Sequence, residues 1–275
     1  MIKPLQKGDK VAVLAPSGRV NEAKIKKNIQ LLINWGLEVT FGKHTFDQYN
    51  KLAGKDEDRL HDLQTALDDP AIKAIICTRG GYGLVRIVDD INWEIFKKHP
   101  KWIIGFSDIT VLHNEIHNLG FPSIHAPMPN SYDTTPPDVL DKLHDALFTN
   151  DYQYPLNMLN QTPVVGGNLA IIYSLLGTNS DIDTHGKILF LEDIGEYAYN
   201  IDRMFRALKK AGKFDHINAL AIGYFTNIKD DNFGFTVEEI INEVTKEYNF
   251  PIVFGLKVGH EDENYPLILG RTYGA

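Results

Sequence analysis

Short apolar runs alternate with stretches in which apolar side chains recur every three or four positions, and this holds through roughly the first 130 residues. Short runs suit strands buried on both faces, and the three-to-four spacing lines one face of a helix. Together they predict a mostly parallel sheet flanked by helices, an α/β fold. Val11 to Ala15 reads as the first strand and runs into Pro16-Ser17-Gly18, after which Ile25, Ile29 and Leu32 take helical spacing. Leu37 to Phe41 reads as a second strand; Leu60, Leu63 and Leu67 then share a helix face that Asp68-Asp69-Pro70 closes. Ala74 to Cys77 is the next strand and ends in Thr78-Arg79-Gly80-Gly81-Tyr82-Gly83. Trp102 to Gly105 is another, followed by Ile109, Leu112, Ile116 and Leu119 on one helical face.

From Pro127 to Pro163 the periodicity breaks at Met128-Pro129-Asn130, Thr134-Thr135-Pro136-Pro137 and Asn157-Met158-Leu159-Asn160, which reads as a linker. Beyond it lie Val164-Val165-Gly166-Gly167-Asn168, a strand from Ile188 to Leu191, a helix carrying Ile201, Met204, Phe205 and Leu208, and a strand from Ala219 to Gly223. The expected organisation is an N-terminal domain over 1–130, a linker over 131–163 and a smaller C-terminal domain over 164–275.

With 275 residues, 43% of them hydrophobic, the chain can fill two modest cores. Its 36 acidic residues outnumber 28 basic ones, and the net charge of -8 argues against a surface that collects phosphates, so no nucleic-acid partner is expected. No run approaches the roughly 18 to 20 apolar residues of a membrane span, and Met1 to Lys10 has no apolar signal core; a cytoplasmic protein without a membrane partner is expected. A lone cysteine, Cys77, leaves no internal disulfide and reads as a small core residue.

Gly105-Phe106-Ser107-Asp108-Ile109 sets a serine at a sharp change from strand to helix. Such a turn lifts the hydroxyl above the sheet, and the first N–H groups of the helix point at the same spot, where they can bind an oxyanion. Ile109 stands where G-x-S-x-G has its second glycine, and a serine capping the helix explains the segment equally. A nucleophilic serine needs a histidine oriented by a carboxylate. His113 and His117, at i and i+4, could pair on a metal, but Glu115 is displaced by one position from H-E-x-x-H, so they read as surface residues and no metal or cofactor is expected. His260 sits at a strand end before a polar loop, and Glu192 ends the apolar run Ile188 to Leu191, where a carboxylate needs a partner. Asp193 and Glu196 can instead serve a following helix dipole. Arg79-Gly80-Gly81-Tyr82-Gly83 allows close backbone approach to a ligand, but its order is not that of a dinucleotide loop.

Taken in order, Val13-Leu14-Ala15-Pro16-Ser17, Arg79 to Gly83, Gly105 to Thr110, Leu191 to Glu196 with Ile201-Asp202-Arg203, and Gly259-His260 resemble the LD-carboxypeptidase family of serine peptidases, which includes the microcin C self-immunity peptidases. The resemblance implies Ser107 as nucleophile, Glu192 as acid, His260 as general base and an oxyanion hole from the N–H groups of Gly81 and Asp108. It implies a flavodoxin-like parallel-sheet N-terminal domain, a smaller β-rich α+β C-terminal domain, a homodimer, and a chain running somewhat past Leu267 to Gly274. It further implies a small peptide substrate, a murein tetrapeptide that loses its terminal D-alanine. A toxic aminoacyl-nucleotide amide is the alternative, for which an aromatic platform is expected, although Trp35, Trp93 and Trp102 all fall in the first domain. A non-catalytic two-domain binding protein is the reading outside enzymology. Arg79 and Arg203 are the cationic candidates for a substrate carboxylate, and an ion pair would explain either.

Overall fold

Val11 and Val13 face one side of the first strand and Ala12 and Leu14 the other, and all four are buried, as a central parallel strand requires. The computed structural model describes residues 2–154, 162–229 and 232–271. Its first sheet is built from β1 (Lys10–Leu14), β2 (Glu38–Phe41), β3 (Ile72–Cys77), β4 (Trp102–Gly105) and β5 (Ser123–His125), all parallel, in the order β2-β1-β3-β4-β5. That order is the flavodoxin-like one. Helices α1 (Glu22–Asn28) and α2 (Gln30–Asn34) pack on one face. On the other lie α3 (Asp56–Asp68), α4 (Glu94–Lys98) and α5 (Thr110–Asn118).

The stretch read as a linker carries helix α6 (Pro137–Phe148), with Pro137 in its first turn and Val139, Leu143, Ala146 and Leu147 buried. Proline is tolerated there because the first N–H groups of a helix lack intrahelical partners in any case. Asn157 to Asn160 lie outside the described residues.

A second sheet of four parallel strands follows: β6 (Val164–Asn168), β7 (Ile188–Ile194), β8 (Ala219–Thr226) and β9 (Ile252–Val253). Its outer face is covered by α7 (Leu169–Ser174), α8 (Ala198–Lys210) and α9 (Val237–Thr245). On its inner face Ile188, Phe190, Ala219 and Ala221 join one apolar cluster with Ile104, Ile124 and Leu143, so a shared core couples the two sheets. The chain then returns: β10 (Leu267–Leu269) adds antiparallel to β5 at the edge of the first sheet. Among the described residues, no helix is long and apolar enough to cross a membrane. Cys77 is fully buried, and burial pushes its thiol pKa up, away from reactivity.

Candidate active site

Parallel strands deliver their C-terminal ends to one edge, and sites form where neighbouring connections diverge. Here β1 leads into Pro16-Ser17-Gly18, β3 into Arg79 to Gly83, and β4 into Phe106 and Ser107. Ser107 opens a single 3₁₀ turn, Ser107–Ile109, that feeds α5, and its backbone is left-handed at φ 65°. Among the described residues, the other non-glycine positions with positive φ are asparagines and a histidine, types enriched in that region. A serine has no such excuse, and the conformation costs about 1–3 kcal/mol that the surrounding packing must hold in place.

Glycines make room for it. A methyl on Gly80 would lie 2.7 Å from Ser107 Cβ, 2.9 Å from Oγ and 3.2 Å from the Asp108 nitrogen. Gly81 adopts φ 113°, which side chains rarely accept. The N–H groups of Gly81 and Asp108 meet no protein acceptor among the described residues. Gly80→Ala should therefore displace the turn, lowering kcat by about 100-fold and stability by about 1–3 kcal/mol. Steady-state assays with thermal denaturation measure both, and activity within threefold of the unmodified enzyme would show that the close packing is dispensable.

The loops around the serine are fastened twice. Arg59, buried on α3, donates from Nη1 to the carbonyls of Pro16 at 2.6 Å and Gly83 at 2.9 Å, while its Nη2 pairs with Asp56. Asp108 Oδ2 accepts from the Ser17 hydroxyl at 2.7 Å and from the Leu84 N–H at 3.0 Å. Each group therefore ties the loop after β1 to the loop after β3, one step apart in both. Burial raises the Asp108 pKa, although Ser17, Leu84 and the charge of Arg59 all favour the carboxylate.

The alternation of β7 places Glu192 on the inner face with Phe190, beside Gly223 and Gly259, and its side chain is fully buried. Its Oε2 meets His260 Nδ1 at 2.6 Å. A carboxylate only accepts, so this contact fixes the proton on Nδ1 and leaves Nε2 free to act as a base. Burial works to lower the His260 pKa, but the charge and hydrogen bond of Glu192, with smaller contributions from Asp193 and Glu261, outweigh it and raise the value above 6.5. The imidazole lies edge-on to Phe106, the residue before Ser107, with ring centroids 4.9 Å apart. No hydrogen bond joins it to Ser107 Oγ in this conformation. The structure thus brings Ser107, Gly80, Gly81 and Asp108 together on the first sheet and carries the Glu192–His260 pair to them from the second.

Other expectations resolve differently. His113 is not a surface residue: it is fully buried, with Nε2 at 2.8 Å from the Gly105 carbonyl and Nδ1 at 2.8 Å from Ser123 Oγ. Burial lowers its pKa to about 4, so Nε2–H donates to the carbonyl two residues before Ser107 and helps hold that turn. Asp193 does not serve the helix that follows it: its carboxylate accepts from Asn168 Nδ2 at 3.0 Å and from the Ala170 N–H at 2.9 Å at the start of α7. Burial, aided by the charge of Glu192, pushes its pKa up to about 6. Arg203 bonds Asn200 and stacks over Tyr199, and Arg79 donates to the Arg19 carbonyl; neither forms an ion pair among the described residues. Arg59 was not legible as a site residue, because Asp56-Glu57-Asp58-Arg59 has the look of a solvated helix start.

Residues 11–126 match the LD-carboxypeptidase N-terminal domain and residues 161–274 the LD-carboxypeptidase C-terminal domain. A probable murein peptide carboxypeptidase of Bacillus subtilis is 35% identical, covering 94% of this chain and 86% of that one. The murein tetrapeptide carboxypeptidase of Pseudomonas aeruginosa is 29% identical over 96% of this chain and 92% of its own. Among solved structures, a muramoyltetrapeptide carboxypeptidase from Oxalobacter formigenes superposes with a TM-score of 0.84 at 26% identity, covering 95% of this chain and 92% of that one. The microcin C7 self immunity protein MccF in complex with aspartyl sulfamoyl adenosine shares the fold, with a TM-score of 0.87 at 21% identity over 98% of this chain and 93% of that one. By its two matched domains and its relatives along nearly the full length, the chain belongs to the LD-carboxypeptidase family.

Proposed function

We propose that the protein is a serine carboxypeptidase that hydrolyses the L,D-peptide bond to the terminal D-alanine of murein tetrapeptides, with Ser107 as nucleophile, His260 as general base and Glu192 as the acid that orients it. The observation that carries the reading is the 2.6 Å contact between buried Glu192 and His260 Nδ1, set beside a serine in a left-handed strand-to-helix turn. The printed names of the relatives in Bacillus subtilis and Pseudomonas aeruginosa support the substrate class. In this reading residues 1–130 supply the nucleophile and 164–275 the base and acid, joined through 131–163.

The chemistry follows from the geometry. His260 Nε2 takes the Ser107 proton as Oγ attacks the carbonyl, and Glu192 stabilises the imidazolium that results. The N–H groups of Gly81 and Asp108 receive the oxyanion, each such donor being worth about 3–4 kcal/mol in the transition state. Protonated His260 then gives its proton to the departing amine of D-alanine, leaving an ester on Ser107. Water, deprotonated by the same nitrogen, hydrolyses that ester through a second oxyanion. Because Gly80 carries no side chain, the approach to Oγ stays open: a Cβ there would stand 2.9 Å from it.

Incubation with a murein tetrapeptide followed by mass spectrometry should show loss of one D-alanine. Release of an internal residue would refute exopeptidase action, and faster cleavage of an aminoacyl sulfamoyl adenylate would move the substrate to nucleotide amides. None of the three tryptophans stands at the site to offer a base-stacking platform: Trp35 packs on His144 and Phe148, Trp93 on Phe96, and Trp102 is buried within β4. The family reading also carries a cytoplasmic homodimer, which light scattering on the purified protein and cell fractionation address.

A further inference from the structure

We propose that Arg79 binds the terminal carboxylate of the substrate and thereby restricts the enzyme to chain ends. The inference rests on the proposed reading of the site. Arg79 immediately precedes Gly80, which packs on Ser107, and Gly81, the proposed oxyanion donor. Its guanidinium lies along the glycine floor beside them: Nε is 3.2 Å from where a Cβ on Gly18 would stand, and Nη2 is 3.9 Å from the same point on Gly81.

The side chain is half-buried, and its hydrogen bond among the described residues is Nη1–H to the Arg19 carbonyl at 3.2 Å. By contrast Arg59, Arg86 and Arg206 are each paired with carboxylates. In a chain with 36 acidic residues against 28 basic ones, a half-buried guanidinium without an acid is a cation kept available. The rigid fork of N–H groups left over matches a carboxylate in two-point contact.

The field of the site needs such a cation. Asp108, Glu192 and Asp193 are all buried around the reacting centre, and an anionic substrate would be repelled by whatever negative charge they hold. In a terminal residue one amide nitrogen and one α-carbon separate the scissile carbonyl carbon from the carboxylate carbon, a span of about 3–4 Å. The anchor must therefore sit within a side chain's reach of the oxyanion donors. Arg79 does. Arg203 lies instead on α8, held by Asn200 at 2.7 Å and stacked on Tyr199.

The test compares a tetrapeptide ending in free D-alanine with the same peptide ending in D-alaninamide. The unmodified enzyme should prefer the acid by roughly 100-fold in kcat/KM, the loss expected when one partner of a desolvated charge pair is removed. Arg79→Ala should lose about 100-fold on the acid and less than about threefold on the amide, and Arg79→Lys should recover part of the preference. Labelling of Ser107 by a fluorophosphonate should proceed in Arg79→Ala at the unmodified rate. Equal losses on both peptides, an unchanged preference, or loss of labelling would overturn the proposal, the last because Arg79 would then serve the nucleophile. An unmodified enzyme that releases neither D-alanine from the acid nor D-alaninamide from the amide would instead refute the reading of the site on which it stands.

Discussion

Replacing Ser107 with alanine is expected to lower kcat for release of D-alanine by about 100,000-fold, leaving only the residual rate that oxyanion binding and substrate positioning supply. Circular dichroism and thermal melting should report an intact fold, because Asp108, Arg59 and His113 hold the surrounding backbone independently of the hydroxyl. The strained backbone allows a finer check. Alanine at φ 65° retains the left-handed penalty, whereas glycine does not, so Ser107→Gly should be as inactive as Ser107→Ala yet more stable by about 1 kcal/mol. Such a pair separates strain kept for geometry from the chemistry of Oγ. Activity surviving in either variant, or a fluorophosphonate that leaves Ser107 unlabelled, would remove the serine from the mechanism.

The elements legible in the sequence were those whose period is set by burial over several residues. Trp102 to Gly105 is strand β4, with all four residues buried, and Ile201, Met204, Phe205 and Leu208 are the buried face of α8. Strands β5 and β10 were missed because three residues each are too few to show a period, and because β10 pairs across more than 140 positions of chain with β5. Their pairing, Leu267 with His125 and Leu269 with Ser123, is a long-range fact that no local pattern encodes. Helix α6 carried a usable signal in Val139, Leu143 and Ala146, but Pro136-Pro137 reads as a break unless it is placed in the first turn.

At the site, Ser107 could be argued locally, since a strand-to-helix turn determines where its hydroxyl and the next N–H groups point. Glu192 and His260 could not. Their partnership depends on β7 and the loop after Val258 meeting in space, and local sequence showed only that each had an unusual setting. Arg59 was hidden for the opposite reason: its neighbours Asp56, Glu57 and Asp58 look solvated, while its own side chain turns inward to two backbone carbonyls. Single residues that clamp loops from a distance leave no periodic trace.

Glu192→Gln should lower kcat by about 10,000-fold while leaving the side-chain volume unchanged. The amide can donate to Nδ1 where the carboxylate only accepts, which would move the imidazole proton to Nε2 and abolish the base. The pH dependence gives a signature that simple misfolding would not. In the unmodified enzyme kcat/KM should rise as His260 loses its proton, through a value above 6.5, because Glu192 outweighs the burial that works to lower it. Without the carboxylate charge, burial dominates, and the acid limb of the residual activity should move below 6.5. Stability must change in the opposite sense. A folded-state pKa above the unfolded one means that the protonated His260–Glu192 pair adds stability in full below pH 6.5, and that contribution is lost as pH rises through the folded-state value. Urea denaturation of the unmodified protein across that window should show the decline, and Glu192→Gln should remove it. An acid limb that stays in place, or a kcat within tenfold of the unmodified enzyme, would mean that Glu192 neither orients nor charges the imidazole.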